Sequence, residues 1–211
     1  MTNGRLATLI VVAILLIDQA IKIWVKTSMT LHESICITDW FYITFIENKG
    51  MAFGMQLGSK IALSLFRMVA IAVLGYYIWL EVRKQAKTGY VVCLAMILAG
   101  AAGNLIDCMF YGLIFNQSSE FYLSYFVPFG TGYAPFLMGK VVDMFYFPLI
   151  ESDWPDWMPF LGGQHFVFFS PVFNFADSAI SVGVVLLLLF YREEISQISF
   201  RKSEVNVSES A

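Results

Sequence analysis

The sequence predicts an α-helical membrane protein: four transmembrane helices, an extracytoplasmic β-hairpin or β-cradle, and a long extracytoplasmic loop. Composition is the first observation behind this. Of 211 residues, 58% are hydrophobic and only 14% charged, and the mean hydropathy of +0.69 is too apolar for a soluble domain. The second is a set of four apolar runs near the ~20 residues that a helix needs to cross a bilayer. The third is the stretch "WFYITFIENKGMAFGM", residues 40–55, where a β-branched and aromatic strand meets an Asn-Lys-Gly turn and a second short apolar strand.

Span one covers about residues 6–26. Its length, the interrupting Asp18 and the missing small-x-small site argue that it is kept as a helix and is not a cleaved signal peptide. Spans two and three, about 61–82 and 88–110, are joined by the basic "RKQAK". Span four is placed at about 177–195; its apolar run ends at Tyr191 and is followed by Arg192, Arg201 and Lys202. With Arg5 before span one, the positive-inside rule places both termini in the cytoplasm. A cradle near 34–58 and a loop near 112–172 then face outward. Residues 1–195 are expected to form a single membrane domain, and 196–211 a polar cytoplasmic tail. The hairpin would serve as a structural cap or as a surface that holds an extended peptide by strand addition. The aromatics of the long loop suit the headgroup zone.

Several function classes fall away. A net charge of -3 gives no basic surface for nucleic acid. Cys36, Cys93 and Cys108 are odd in number and widely spaced, which implies neither a disulfide framework nor a zinc knuckle. His32 and His165 belong to no metal-ligand pattern, so neither a metal nor another cofactor is expected.

The carboxylates in apolar sequence carry the chemistry. Asp18 lies in the outer half of span one, Asp107 ("GNLID") at the outer end of span three, Asp143 ("VVDMF") in an apolar patch of the long loop, and Asp177 ("FNFAD") at the start of span four. All four fall on the outer side, and ionisable groups embedded at membrane depth are functional candidates because they are costly to bury. Asp18 and Lys22 stand at i and i+4, so an intrahelical ion pair accounts for them. Asn174 suits an N-cap, and Asp177 suits the positive end of the helix dipole. Asp107 sits at the wrong end of its helix for that explanation, so Asn104 and Asp107 need partners. Lys140, three residues before Asp143, is a weak candidate partner for it. Two carboxyls sharing a poorly solvated site split into one acid and one base, which is aspartyl protease chemistry. The residues alone offer Asp107, Asp143 and Asp177 for two places.

The ordered segments "DQAIK", "ENKGMAFG", "GNLID", "VVDMF" and "FNFAD" closely resemble those of the lipoprotein signal peptidases, the type II signal peptidases of the bacterial cytoplasmic membrane. The resemblance implies a four-span aspartyl protease that cuts a prolipoprotein just before its diacylglyceryl-modified cysteine. It implies Asp143 and Asp177 as the catalytic pair, and Asn48, Gly54, Asn104, Asp107, Asn174, Asp18 and Lys22 as binding or supporting residues. It also implies a cleft that meets membrane lipid, and peptide inhibitors such as globomycin. The dipole at the start of span four favours Asp177 as the base and Asp143 as the acid.

The chain departs from the family pattern in two places. Cys108 stands where the family commonly has Arg, and Arg67 is the expected substitute. A long insertion separates Asp107, Asp143 and Asp177, and is expected to act as a lid or a membrane-surface anchor. The rival classes are a small proton-coupled transporter and a non-catalytic scaffold; four spans without an inverted repeat or an inner carboxylate offer a transporter no path.

Overall fold

The structure is a computed structural model that describes residues 1–48, 57–160 and 162–196. Helix α1 is Asn3–Ser28, followed by strands β1 (Ser34–Thr38) and β2 (Phe41–Asn48). Helix α2 is Leu57–Arg83 and α3 is Thr88–Ile106. The latter runs on through a π-helical turn, Asp107–Tyr111, into the short α4, Gly112–Ile114. Strands β3 (Val141–Tyr146), β4 (Ile150–Asp153) and β5 (His165–Phe168) come next, and α5, Phe175–Phe190, closes the order.

Three helical stretches, Asn3–Ser28, Lys60–Arg83 and Thr88–Ile114, are long and apolar enough to cross a membrane. Helix α5 is equally apolar but has 16 residues, about 24 Å at 1.5 Å per residue. Its apolar run stops where Arg192 and Glu193 begin.

The chain divides into two compact units. One comprises Met1–Leu16, Arg67–Ala102 and the segment from Ala176 onward. Its core joins Ala7, Ile78, Tyr90, Leu94 and Leu187. A Cβ on Gly100 would collide with the Ala176 carbonyl, and one on Gly183 with the Cys93 carbonyl, so these two glycines let α3 and α5 approach backbone to backbone.

The other unit comprises Ile17–Phe66 and Gly103–Phe175. It holds a three-stranded antiparallel sheet in the order β1-β2-β3, with Val25, Met29, Phe45, Tyr111, Phe115, Val142 and Met144 as its core. The hairpin formed by the described residues is β1–β2, in which Ser34 faces Thr44 and Thr38 faces Phe41. The expected Asn-Lys-Gly turn and second arm lie outside the described residues. The other neighbour of β2 is β3, about a hundred residues later, with Ile46 opposite Asp143 and Asn48 opposite Val141. Strands β4 and β5 form a separate hairpin, Ile150 to Phe168 and Asp153 to His165.

Candidate active site

Asp143, expected in a loop, is the third residue of strand β3 and is buried. "VVDMFY" is rich in β-branched and aromatic residues, which suit a pleated surface, and β2 supplies its partner edge. The segment before α5 docks on the same strand: Phe145 and Phe173 exchange backbone hydrogen bonds, with the Phe145 N–H donating at 2.7 Å and the Phe173 N–H at 3.1 Å. Asn174 is thereby carried to Asp143. Its Nδ2 donates to Asp143 Oδ1 at 2.6 Å and to Asn104 Oδ1 at 3.1 Å.

From Asn104 the polar contacts continue inward. Lys22 Nζ donates to Asn104 Oδ1 at 2.8 Å, and pairs with Asp107 Oδ2 at 2.8 Å and Asp18 Oδ2 at 3.0 Å. All three ionic side chains are fully buried. The Asp18–Lys22 pair, expected to be self-contained, therefore shares its lysine with Asp107. Gln19 completes the shell: its Nε2 donates to Asp107 Oδ1 at 2.8 Å, and its Oε1 accepts from the Tyr111 hydroxyl at 3.2 Å. The Val142 N–H also donates to Asp107 Oδ2, at 3.3 Å. Asp107 thus sits at the start of the π-helical turn and ties α1 and α3 to the strand that carries Asp143; such turns recur at functional sites.

A second ionic cluster lies one helical turn further along α1. Lys26 pairs with Glu47 of β2, and both side chains are buried. The other Glu47 oxygen accepts from Lys140 Nζ at 2.6 Å. Lys140, weighed as a partner for Asp143, is therefore given to Glu47, because β2 and β3 run antiparallel and bring Glu47 opposite Val142. Ser118 Oγ donates to Glu47 at 2.7 Å, accepts from Lys26 at 2.7 Å and meets Ser124 Oγ at 2.9 Å. The Lys140 N–H donates to the Tyr133 hydroxyl at 2.7 Å. Burial pushes the Glu47 carboxyl up, but Lys26 and Lys140 outweigh it and hold the group below the usual carboxylate range. Burial likewise pushes the Tyr133 hydroxyl up and keeps it neutral.

Asn48 ends β2 and is exposed. Asp177 is half-buried in the first turn of α5, in the other compact unit. Arg67 lies on α2, half-buried, also in that unit. Gly54 is outside the described residues. Sequence reasoning missed Gln19, Lys26, Glu47, Ser118, Tyr111 and Tyr133. A signal was present for one of them, Lys26: Asp18, Lys22 and Lys26 repeat at four-residue spacing and so share one face of an apolar helix.

Residues 10–192 match the family described as signal peptidase (SPase) II. The chain belongs to the signal peptidase II family. A lipoprotein signal peptidase of Porphyromonas gingivalis is 51% identical over 195 residues, covering 92% of this chain and 86% of that protein. Another, from Amoebophilus asiaticus, is 36% identical over 202 residues, with 92% of this chain and 81% of that one covered. A bacterial membrane enzyme solved by the in meso method at 1.9 Å resolution shares the fold, with a TM-score of 0.58 at 24% identity over 88% of this chain and 93% of that one. The family match disfavours the transporter and scaffold classes.

Proposed function

We propose that this signal peptidase, which removes signal peptides from prolipoproteins, works as an aspartyl endopeptidase whose catalytic pair is Asp143 and Asp177. One observation supports the choice among three carboxylates. Asp107 is consumed by an ion pair with Lys22 and by Gln19, whereas the Asn174 amide reaches Asp143 as a neutral partner. A carboxyl neutralised by a buried ammonium is a poor proton shuttle, and one held by an amide can exchange a proton with a nearby acid. Asp177 follows Asn174 by three residues in the first turn of α5, where the helix dipole favours negative charge.

In this mechanism Asp177 takes a proton from water as the water oxygen attacks the scissile carbonyl carbon. Asp143 donates its proton to the carbonyl oxygen, and the tetrahedral intermediate collapses with proton return to the leaving amine. The cut falls just before the diacylglyceryl-modified cysteine. Cleavage is then insensitive to chelator and blocked by globomycin. Both termini lie in the cytoplasm, the active site is near the outer leaflet, and membrane lipid borders the cleft; Arg5, the basic "RKQAK" link and Arg192 support this orientation.

Two finer assignments belong to the same proposal. Cys108 is buried at the place where the family commonly has Arg, and Arg67 supplies the missing cation; full activity in Arg67→Ala would exclude it. The insertion is more than a lid, because Ser118 and Ser124 are bonded into the Glu47 cluster. Deleting residues 116–134 should abolish cleavage, and an active deletion variant would refute that role. The direct test of the catalytic pair is cleavage of a diacylglyceryl prolipoprotein by the Asp143→Asn and Asp177→Asn variants, each checked for folding.

A further inference from the structure

The insertion after α4 contains one segment, "FYLSYFVPFGTGYAPFLMG" (121–139), without a single Asp, Glu, Lys or Arg. Charges stop at its borders. Glu120 lies exposed at its start, 3.8 Å from His32, and Lys140 at its end is drawn into the Glu47 pair. Between them the side chains divide by direction. Ser124 and Leu137 point inward and are buried. Outward stand large apolar groups: Phe121 is 90% exposed, Phe129 73% and Phe136 46%, with Tyr125 and Phe126 also exposed. In an aqueous setting such a patch would be an aggregation liability, so its presence marks an interaction surface.

Backbone hydrogen bonds fix where this strap lies. The Val127 N–H donates to the Ile114 carbonyl at 2.8 Å, Gly130 to Leu113 at 3.0 Å and Ala134 to Gly112 at 3.0 Å. Those carbonyls belong to the end of the Thr88–Ile114 membrane-crossing stretch. On the other side, Lys60 Nζ donates to the Met138 carbonyl at 2.8 Å and Ser64 Oγ to the Leu137 carbonyl at 3.1 Å. Lys60 and Ser64 begin the Lys60–Arg83 crossing stretch, where Ile61, Leu65 and Phe66 are exposed. Phe136 packs edge-on against Phe110 of the π-helical turn, with ring centroids 6.2 Å apart. The apolar exterior of the crossing helices therefore continues onto the strap.

We propose that residues 121–139 form an aromatic collar that lies in the interfacial layer of the bilayer, at the depth where α2 begins and α4 ends, with Phe129 and Phe136 in contact with lipid. The helix ends to which the strap is bonded belong to stretches long and apolar enough to cross a membrane, and this sets the strap at the bilayer's edge. Aromatic side chains favour the headgroup layer, and irregular backbone is tolerated there when its polar groups are bonded to protein. The inference goes beyond the peptidase reading and rests only on these helices crossing a membrane.

Spin labels test it. In a Cys36→Ser parent, with Cys93 and Cys108 buried and the parent confirmed unlabelled, labels are placed by Phe129→Cys and Phe136→Cys. Leu65→Cys serves as a lipid-facing reference and Lys84→Cys as an aqueous one. The full chain is reconstituted singly in nanodiscs of phosphatidylethanolamine and phosphatidylglycerol, and collision with oxygen is compared with collision with a water-soluble nickel chelate. The expected result is an oxygen-to-nickel ratio at both positions shifted from the Lys84 value toward the Leu65 value. Ratios equal to that of Lys84 would overturn the collar. Cleavage measured on the same samples is independent of this outcome, so failure of the collar and failure of the catalytic pair are distinguishable.

Discussion

Two lysines one turn apart on α1 make opposite kinds of ionic cluster. Lys22 is one ammonium between two carboxylates, Asp18 and Asp107. Glu47 is one carboxylate between two ammonium groups, Lys26 and Lys140. The first cluster joins helix to helix and leads through Asn104 and Asn174 to Asp143. The second joins helix, sheet and insertion, and fixes the pairing of β2 with β3. The difference teaches that neighbouring buried charges can have separate tasks: one orders the polar surroundings of Asp143, and the other holds the strand on which Asp143 is carried.

Breaking the first cluster should have the largest effect. Lys22→Met strands two buried carboxylates, and removing one partner of a buried pair costs about 3–5 kcal/mol. Unfolding followed in detergent should show this loss, with partial recovery in the Lys22→Met, Asp107→Asn double variant. Wild-type stability in Lys22→Met would show that the pair carries no net stabilisation.

Glu47→Gln should cost less, about 1.5–3 kcal/mol for lost hydrogen bonds to charged groups, because partly exposed Lys140 can turn toward water. Its pH dependence sharpens the contrast. The Glu47 carboxyl is held below its unfolded value, so its contribution is fully present above the ordinary glutamate range. It fades as pH falls through that range toward the lower folded value. The midpoint difference between wild type and Glu47→Gln should therefore shrink on acidification, and a constant difference would contradict the ion-pair account.

Asn174→Ala removes the amide that reaches both Asp143 and Asn104. It should lower kcat about tenfold or more, about 1.4 kcal/mol of barrier, while KM changes little. An unaltered kcat would detach Asn174 from the catalytic pair. The smallest effect belongs to a pair outside both clusters. Lys87 and Glu194 meet at 2.6 Å on the surface, and each holds the other in its charged form. Lys87→Ala should leave the unfolding midpoint unchanged at ordinary salt, because solvent screens such pairs.

Much of this was legible in the sequence because it rests on local patterns. Hydropathy located the apolar helices, and β-branched and aromatic residues located β2. Asp107 stood out because a carboxylate at a helix C-terminus needs partners. What stayed hidden was non-local. Nothing in "VVDMF" tells that its strand pairs with one nearly a hundred residues earlier, so Asp143 was read as a loop residue and Lys140 as its neighbour. Lys26 near a helix end resembles any lysine that reaches toward water, and only the fold reveals Glu47 waiting for it. Strand β1 is fully exposed and lacks the half-buried alternation that announces a strand.

The central claim is that Asp143 and Asp177 share the chemistry while Asp107 supports them. The measurement that tests it most directly is single-turnover cleavage of a diacylglyceryl-modified prolipoprotein, with chelator present, by wild type and the Asp143→Asn, Asp177→Asn and Asp107→Asn variants, each shown to be folded. The account predicts loss of cleavage by orders of magnitude in the first two and measurable residual cleavage in the third. Wild-type rates in Asp143→Asn or Asp177→Asn would contradict it.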